Sequence, residues 1–326
     1  MTRVLVTGAT GQDGTLLVRR LVAEGAEVHG VTLSGDRQGV WAEPELAAVE
    51  LHVADLADEE RVRAVVAEVS PDEIVNLAGQ TSVAASWADP VGTIRATGLG
   101  AVTVFDAAFA LQDSRGSAVR VLQASSAEIF GSAQDVPQTE LTPLRPVSPY
   151  GAAKALAHEM AAIYRSRGLF VGTCILYNHE SPLRPDTFVT RKITAGAARI
   201  AVHGGEPLRL GNLDAVRDWG WAEDYVDAMV RVLRHDGADD FVVATGSTHT
   251  VGDFVRAAFA RAGIEDWESR VQIDPAFVRP VDASIQVGDA SKAARELGWR
   301  PTVAFEEVVG RMVDHDLRLV RGADES

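Results

Sequence analysis

The sequence predicts an α/β protein: a doubly wound parallel sheet followed by a smaller C-terminal α/β region. Three observations lead there. Strand and helix signals alternate through the first half of the chain, a glycine-rich turn joins the first strand to the first helix, and the alternation loosens after about Tyr177. With 326 residues, 46% of them hydrophobic, the chain is long enough for one large α/β domain or two smaller ones.

Residues 3–6 are a short apolar strand, followed by the glycine turn and a helical pattern over 15–24. A second strand is predicted at 27–33 and a third at 49–53. A charged amphipathic helix over 58–69, with Asp58 or Ala57 near its N-cap, leads to a strand at 73–77. A long helix follows at about 91–111, then a strand at 119–124. Pro149 suits the first turn of a helix that runs to about 166, and the apolar run 170–177 reads as a buried strand. Repeated βα units of this kind place helices on both faces of a parallel sheet. Residues 1–177 are read as the first domain, with return segments near 207–247. Residues 178–326, in loops, short helices and isolated strands, form the main ligand-side region.

Composition excludes several classes of function. Charged residues at 24% rule out a disordered chain. The excess of 46 acidic over 31 basic residues gives a net charge of −15, which opposes nucleic acid and anionic lipid. An anionic small molecule needs a local cluster of cations. The N-terminus enters a strand without a charged, apolar leader, and the longest apolar stretch, 98–111, is interrupted by Asp106 and too short to span a bilayer. The single cysteine, Cys174, lies in the apolar run 170–177, so packing is its expected role and a reducing cytoplasm the expected compartment. The eight histidines are scattered with no pair at ligand spacing, so no metal site is expected.

Three motifs carry chemistry. The first is Thr7-Gly8-Ala9-Thr10-Gly11-Gln12-Asp13-Gly14, between a strand and a helix. Gly8 permits the tight turn, Gly11 lets backbone amides approach a pyrophosphate, and Gly14 allows close packing of helix on strand. Together they point to a dinucleotide in a Rossmann-type sheet. Asp55, just after the third strand, either accepts from an adenine amino group or serves as a helix N-terminal acid.

The second motif is Tyr150-Gly151-Ala152-Ala153-Lys154, which puts a phenol and an ammonium on one helix face. A nearby cation lowers a tyrosine pKa, so that the phenolate can take a proton from a substrate hydroxyl. Only three of the 31 basic residues are lysines (Lys154, Lys192 and Lys292), so retaining one at this position favours a compact point charge. The third is Gln123-Ala124-Ser125-Ser126-Ala127-Glu128, at the C-terminal end of the fifth strand, where open α/β sheets bind ligands. A hydroxyl there can hold a substrate oxygen, and Glu128 adds proton transfer to redox chemistry. The competing reading is a helix-cap cluster.

In this order and spacing, the three motifs resemble the extended short-chain dehydrogenase/reductase family, as does Asn76-Leu77-Ala78-Gly79 after the fourth strand. Within it, Asn178-His179-Glu180-Ser181-Pro182 and the blocks 187–193 and 211–220 resemble the GDP-mannose 4,6-dehydratases. So do Pro137-Gln138, Ser148-Pro149-Tyr150, Ala244-Thr245-Gly246 and Gly288-Asp289. The likeness covers nearly the whole chain.

That resemblance implies a lyase converting GDP-mannose to GDP-4-keto-6-deoxymannose by an internal redox cycle. Tyr150 would deprotonate the C4 hydroxyl while hydride leaves C4, Glu128 would remove the C5 proton, water would leave from C6, and hydride would return there. Ser126 stands where the family bonds the C4 oxygen, and Lys154 would hold the nicotinamide ribose. The implied cofactor contacts are Gly8, Thr10, Gly11, Gln12, Asp13, Gly14, Arg37, Asp55, Leu56, Leu77 and Ala78, with Tyr150 and Lys154. The implied substrate contacts are Ser82, Asn178, Glu180, Lys192, Gly211, Arg217 and Arg279.

NADP is favoured because no acid ends the second strand to hold a ribose 2′-hydroxyl, while Asp36 keeps NAD open. A homodimer or homotetramer is expected. Two alternatives remain at this point. One is a 4-epimerase or 4-ketoreductase on a related nucleotide sugar, from which Glu128 separates the dehydratase. The other is a non-catalytic dinucleotide-sensing protein, against which Tyr150, Lys154 and Glu128 argue.

Overall fold

The computed structural model describes residues 1–36, 39–277 and 285–324. Its strands are β1 (Arg3–Thr7), β2 (Glu27–Thr32), β3 (Glu50–Val53), β4 (Glu73–Asn76), β5 (Arg120–Ala124), β6 (Phe170–Leu176), β7 (Asn178–Glu180), β8 (Leu208–Leu210), β9 (Val216–Arg217), β10 (Trp219–Trp221), β11 (Asp240–Val243), β12 (His249–Thr250) and β13 (Val271–Ile273). Seven of them form one sheet in the order β3-β2-β1-β4-β5-β6-β11, parallel throughout. Strand order reverses between β1 and β4, which opens a crevice at the C-terminal ends of the strands.

Both faces of this sheet are covered, which is why its strands read as apolar runs without polar alternation. Val4 and Val6 of β1 pack on one face beneath helices Gln12–Ala23 and Ala222–Leu233. Leu5 points to the other face, beneath Glu59–Val69, Gly100–Arg115 and Pro149–Ser166. The segment Ala222–Val243 thus returns to the sheet, adding a helix and the edge strand β11. A third core, around Phe254, Phe259, Val308 and Met312, belongs to the C-terminal region.

The structure departs from the sequence reading in three places. The first helix begins at Gln12, not Thr15, because the glycine turn itself supplies its first turn. The stretch 98–111, expected to be too short to span a bilayer, belongs to the 26-residue helix Pro90–Arg115, which by length and composition could cross one. Half of its apolar window is buried, with Val104, Phe105 and Ala108 in the sheet core. The C-terminal region is also more regular than loops and short helices. It pairs β7 with β10, β8 with β13 and β9 with β12, and packs the helices Val189–His203, Val251–Arg261 and Phe305–Asp324 around its own core.

At the crevice, a chain of side-chain hydrogen bonds links three strand ends. The Thr7 hydroxyl donates to Asn76 Oδ1 (2.7 Å), Asn76 Nδ2 donates to Gln123 Oε1 (2.7 Å), and Gln123 Nε2 donates to the Ala124 carbonyl (2.8 Å). All three side chains are buried, so each depends on its neighbours for satisfaction. Asn76→Leu keeps the volume but leaves the Thr7 hydroxyl hydrogen without its acceptor and Gln123 Oε1 without its donor. Two buried polar groups without partners should cost roughly 2–5 kcal/mol. Urea unfolding should show a lower midpoint at unchanged slope, and an unaltered midpoint would refute the role of this chain.

Candidate active site

The first part of the site is the turn after β1. Gly8 has φ +67°, and a Cβ there would lie 3.0 Å from the Ala78 backbone. A Cβ on Gly14 would lie 2.2 Å from the Gly8 carbonyl oxygen, so only glycine lets the helix sit this close to the turn. The helix Gln12–Ala23 starts at Gly11 without a side-chain cap, leaving its first amides available to an anion. The Thr10 hydroxyl hydrogen-bonds that of Thr32, 3.2 Å away at the end of β2.

A buried ion pair joins this turn to β7. His179 Nε2 lies 2.9 Å from Asp13 Oδ2, and His179 Nδ1 donates to the Tyr177 carbonyl at 2.7 Å. The imidazole stacks on Tyr225, with centroids 4.4 Å apart. Gln12 reinforces the junction, donating to the His179 carbonyl (3.1 Å) and accepting from Ser181 (3.0 Å). Burial opposes both charges. The Asp13 charge nevertheless holds His179 above the usual histidine range, and His179 in turn holds the Asp13 carboxyl below its own.

Tyr150 and Lys154 occupy one face of the helix Pro149–Ser166, capped by the Ser148 hydroxyl, which accepts from Gly151 N (3.0 Å). Both are buried. Lys154 Nζ lies 5.9 Å from the Tyr150 ring centre and donates to the Ala124 carbonyl at 2.8 Å. Burial pushes the Tyr150 phenol up to about 12, with a hydrogen bond to Ser126 acting in the opposite sense. Burial also pulls Lys154 down to about 8. Desolvation is the largest influence on the phenol in this structure, and the Lys154 ammonium turns to the end of β5.

Ser126 is at once a cap and a site residue, since its hydroxyl accepts from Glu128 N at 3.3 Å and bonds Tyr150. The helix-cap reading of this cluster is thus correct as geometry and compatible with a role in binding. Glu128 Oε1 accepts from Gln286 Nε2 (3.3 Å), a buried residue from a segment clasped to Gln138. Beside them, the Ser125 hydroxyl is buried without a hydrogen-bond partner among the described residues.

These groups open onto a cavity of about 550 Å³. Of the residues expected from sequence, Asp13, Leu77, Ser82, Ser126, Glu128, Tyr150, Lys154, Asn178, Glu180, Lys192, Gly211 and Arg217 line it. Gly8, Thr10, Gly11, Gln12, Gly14 and Ala78 lie outside this wall, in or beside the glycine turn. Asp55 caps its own turn, accepting from Ala57 N (2.9 Å), and Leu56 is buried in the sheet core. Arg37 and Arg279 lie outside the described residues.

On the substrate side, Glu180 accepts from the Thr190 hydroxyl (2.7 Å) and pairs with Arg184 (3.4 Å). Lys192 Nζ sits 3.5 Å over the Phe277 ring. Ser82 caps the short helix Val83–Ala88, and Arg217 donates to the Val216 carbonyl (2.7 Å). Arg184, Trp87, Phe277 and Gln286 were missed from sequence. Arg184 stands two residues beyond Pro182 and was within reach of the Asn178–Pro182 motif, whereas the others come from distant segments. Outside the cavity, strand register brings His29, Glu50 and His52 together, a clustering that sequence spacing does not reveal.

A family model described as GDP-mannose 4,6 dehydratase matches residues 5–312. GDP-mannose 4,6 dehydratase 1 of Arabidopsis thaliana is 42% identical over 327 residues, covering 97% of this chain and 90% of that protein. The Vibrio cholerae GDP-mannose 4,6-dehydratase is 36% identical, covering 98% and 95%. Among solved structures, the Thermus thermophilus UDP-glucose 4-epimerase in complex with NAD has a TM-score of 0.83 at 28% identity, covering 99% of this chain and 100% of that one.

Separating the Asp13–His179 pair should destabilise the fold. His179→Gln leaves the partly buried Asp13 carboxylate without its cation and should cost about 1–3 kcal/mol. Because the folded-state pKa of His179 is raised, its stabilisation is complete below the unfolded value and fades as pH rises through the folded value. The gap between wild type and variant in denaturant melts should therefore narrow toward alkaline pH. A gap independent of pH would mean that no charge is involved.

Proposed function

The chain belongs to the GDP-mannose 4,6-dehydratase family, and we propose that it converts GDP-mannose to GDP-4-keto-6-deoxymannose with Tyr150 and Glu128 as its proton-transferring residues. The observation that carries this reading is the convergence of Tyr150, Ser126 and Glu128 on one cavity. Oxidation at C4 requires a base for the hydroxyl proton, and dehydration requires a second group at C5 and C6.

The residues present fit a nicotinamide dinucleotide, NADP by preference. The cradle of Gly8, Gly11 and Gly14 at an uncapped helix start suits the pyrophosphate, with Thr10, Gln12 and Asp13 beside it. Leu77 and Ala78 follow β4 across the crevice, Asp55 and Leu56 follow β3, and Lys154 with Tyr150 would hold the nicotinamide ribose. A bound dinucleotide would supply reversible hydride exchange between C4 and C6, with no net oxidant consumed.

Tyr150 takes the C4 hydroxyl proton, with Ser126 hydrogen-bonded to the same oxygen. Burial raises the phenol, and the hydrogen bond to Ser126 acts in the opposite sense, favouring the phenolate that this step needs. The resulting 4-ketone acidifies C5. Glu128 removes that proton and delivers it to the departing 6-hydroxyl, which leaves as water, and the proton that Tyr150 took from the C4 hydroxyl passes to C5 as C6 is reduced. Gln286 holds the carboxylate through one oxygen and leaves the other for the sugar. Lys192, Arg184 and Arg217 supply the local positive charge that a diphosphate needs in an acidic protein, with Asn178, Glu180, Ser82 and Gly211 shaping the pocket around it. Arg37 and Arg279, a proposed cofactor and a proposed substrate residue, lie outside the described residues.

We further infer a cytoplasmic homodimer or homotetramer. Support comes from exposed apolar residues on neighbouring helices, Val91, Leu99 and Ile163, and from a lone buried cysteine that needs no oxidising compartment.

Incubation of the purified protein with GDP-mannose and no added reductant, read by mass spectrometry, should give a product lighter by one water with no net cofactor consumed. Recovery of unaltered substrate would overturn the substrate assignment, and an isobaric isomer would replace dehydration with 4-epimerisation. Glu128→Gln should abolish water loss while nucleotide binding stays within about twofold, and undiminished dehydration would remove Glu128 from its role. Tyr150→Phe should lower kcat by about 10²–10⁴-fold. Full retention of kcat would dismiss the phenol as the C4 base.

A further inference from the structure

Besides the cavity, a second constellation of chemically active side chains lies at the edge of the sheet. Residues β2 His29 and β3 Glu50 are register partners, and His52 stands opposite Val31, so all three side chains project from one face. His29 Nδ1 lies 3.1 Å from His52 Nε2 and 3.6 Å from Glu50 Oε2, and the ligating atoms of the three residues all fall within 4.8 Å of one another. None of them lines the cavity.

We propose that His29, His52 and Glu50 form a binding site for a divalent transition-metal ion of the zinc class. Two imidazole nitrogens bound tetrahedrally to Zn²⁺ at about 2.0–2.1 Å are separated by about 3.3 Å. The 3.1 Å and 3.6 Å separations bracket that value, so the ion requires side-chain shifts of only a few tenths of an ångström. The donor set of two imidazoles and one carboxylate suits zinc, cobalt or nickel and leaves a position for water.

The surroundings also have the form of a metal site. His29 offers Nδ1 to the ion, and its other nitrogen, Nε2, lies 3.3 Å from Glu27 Oε1. A carboxylate on the outer nitrogen fixes the tautomer and orientation of a metal-bound histidine. Glu27 is itself held by Arg3 Nε at 2.9 Å. His52 is nearly buried while Glu50 is largely exposed, which provides both a rigid base and an entry path. The neighbouring cation, Arg61, is turned to the Val53 carbonyl and to Glu68, away from the cluster.

The chemistry is structural. An ion held by residues of both strands ties β3, a four-residue edge strand, to β2, and so stabilises the folded state by mass action. The site stands apart from the proposed dehydratase centre, so its failure and that of the catalytic reading are separately visible.

The test uses the full-length untagged chain stripped with EDTA and titrated with Zn²⁺ by calorimetry, with Co²⁺ absorption as a second readout of nitrogen ligation. The expected result is one saturable equivalent per chain, a raised Tm, and unchanged turnover of GDP-mannose. His52→Ala and the more exposed His29→Gln should each abolish that equivalent, and Glu27→Gln should weaken it about tenfold. Absence of a saturable equivalent in the wild type overturns the proposal. So does binding that survives both histidine variants.

Discussion

The reversal of strand order between β1 and β4 is the constraint on which the site depends. Connections leave β1 toward one side of the sheet and β4 toward the other, so no loop closes the space between them. A crevice at that point would expose strand-end polar groups to a partly buried environment. The Thr7, Asn76 and Gln123 side chains meet this need by hydrogen-bonding across three adjacent strands, and the Thr7 oxygen also accepts from the amides of Leu77 and Ala78. The floor of the crevice is therefore rigid, with the glycine turn on one side and Ser125–Glu128 on the other.

Electrostatics at this floor are governed by burial more than by pairwise charge. The chain carries a net charge of −15, yet its cavity gathers Lys154, Arg184, Lys192 and Arg217. Desolvation raises the phenol of Tyr150 and lowers the ammonium of Lys154, so burial pushes both groups toward their neutral forms. The Asp13–His179 pair is the contrasting case. There burial is outweighed by a short charged hydrogen bond, and the result is a fixed link between the two regions of the chain.

Much of the sheet was legible because strands buried on both faces appear as apolar runs separated by glycine turns and helical patterns. Boundaries for β1 to β6 fall close to the expected ones for that reason. The C-terminal region was less legible because its strands are two or three residues long and exist only through their partners, as β9 does against β12. The same division applies to the site. Residues gathered by one motif, such as Tyr150 with Lys154 or Ser126 with Glu128, can be read from spacing. Gln286, Phe277 and the His29–Glu50–His52 cluster are brought together by register and long-range packing, to which spacing is blind. The burial of Tyr150 and Lys154 follows the same division: spacing places a cation four residues from the phenol, whereas only the fold reveals how deeply both groups are buried.

The catalytic motif is consequently incomplete as a local object. Between Ser126 and Glu128 stands Ala127, which is buried and has no side-chain polar group to orient the carboxylate. Glu128 is oriented from elsewhere. The Ile285–Asp289 segment lies alongside Gln138, with hydrogen bonds from Gln138 N to the Val287 carbonyl and from Asp289 N to the Gln138 carbonyl, both 2.8 Å. Gln138 Nε2 reaches the Ile285 carbonyl (3.2 Å) and its Oε1 accepts from Val287 N (3.1 Å). Alternation along this extended segment turns Gln286 away from Gln138 and toward Glu128. A residue nearly 160 positions downstream thus fixes the carboxylate that the local sequence leaves unsupported. The position of the proton-transferring group is set by the closure of the C-terminal region over the sheet as much as by the motif that contains it.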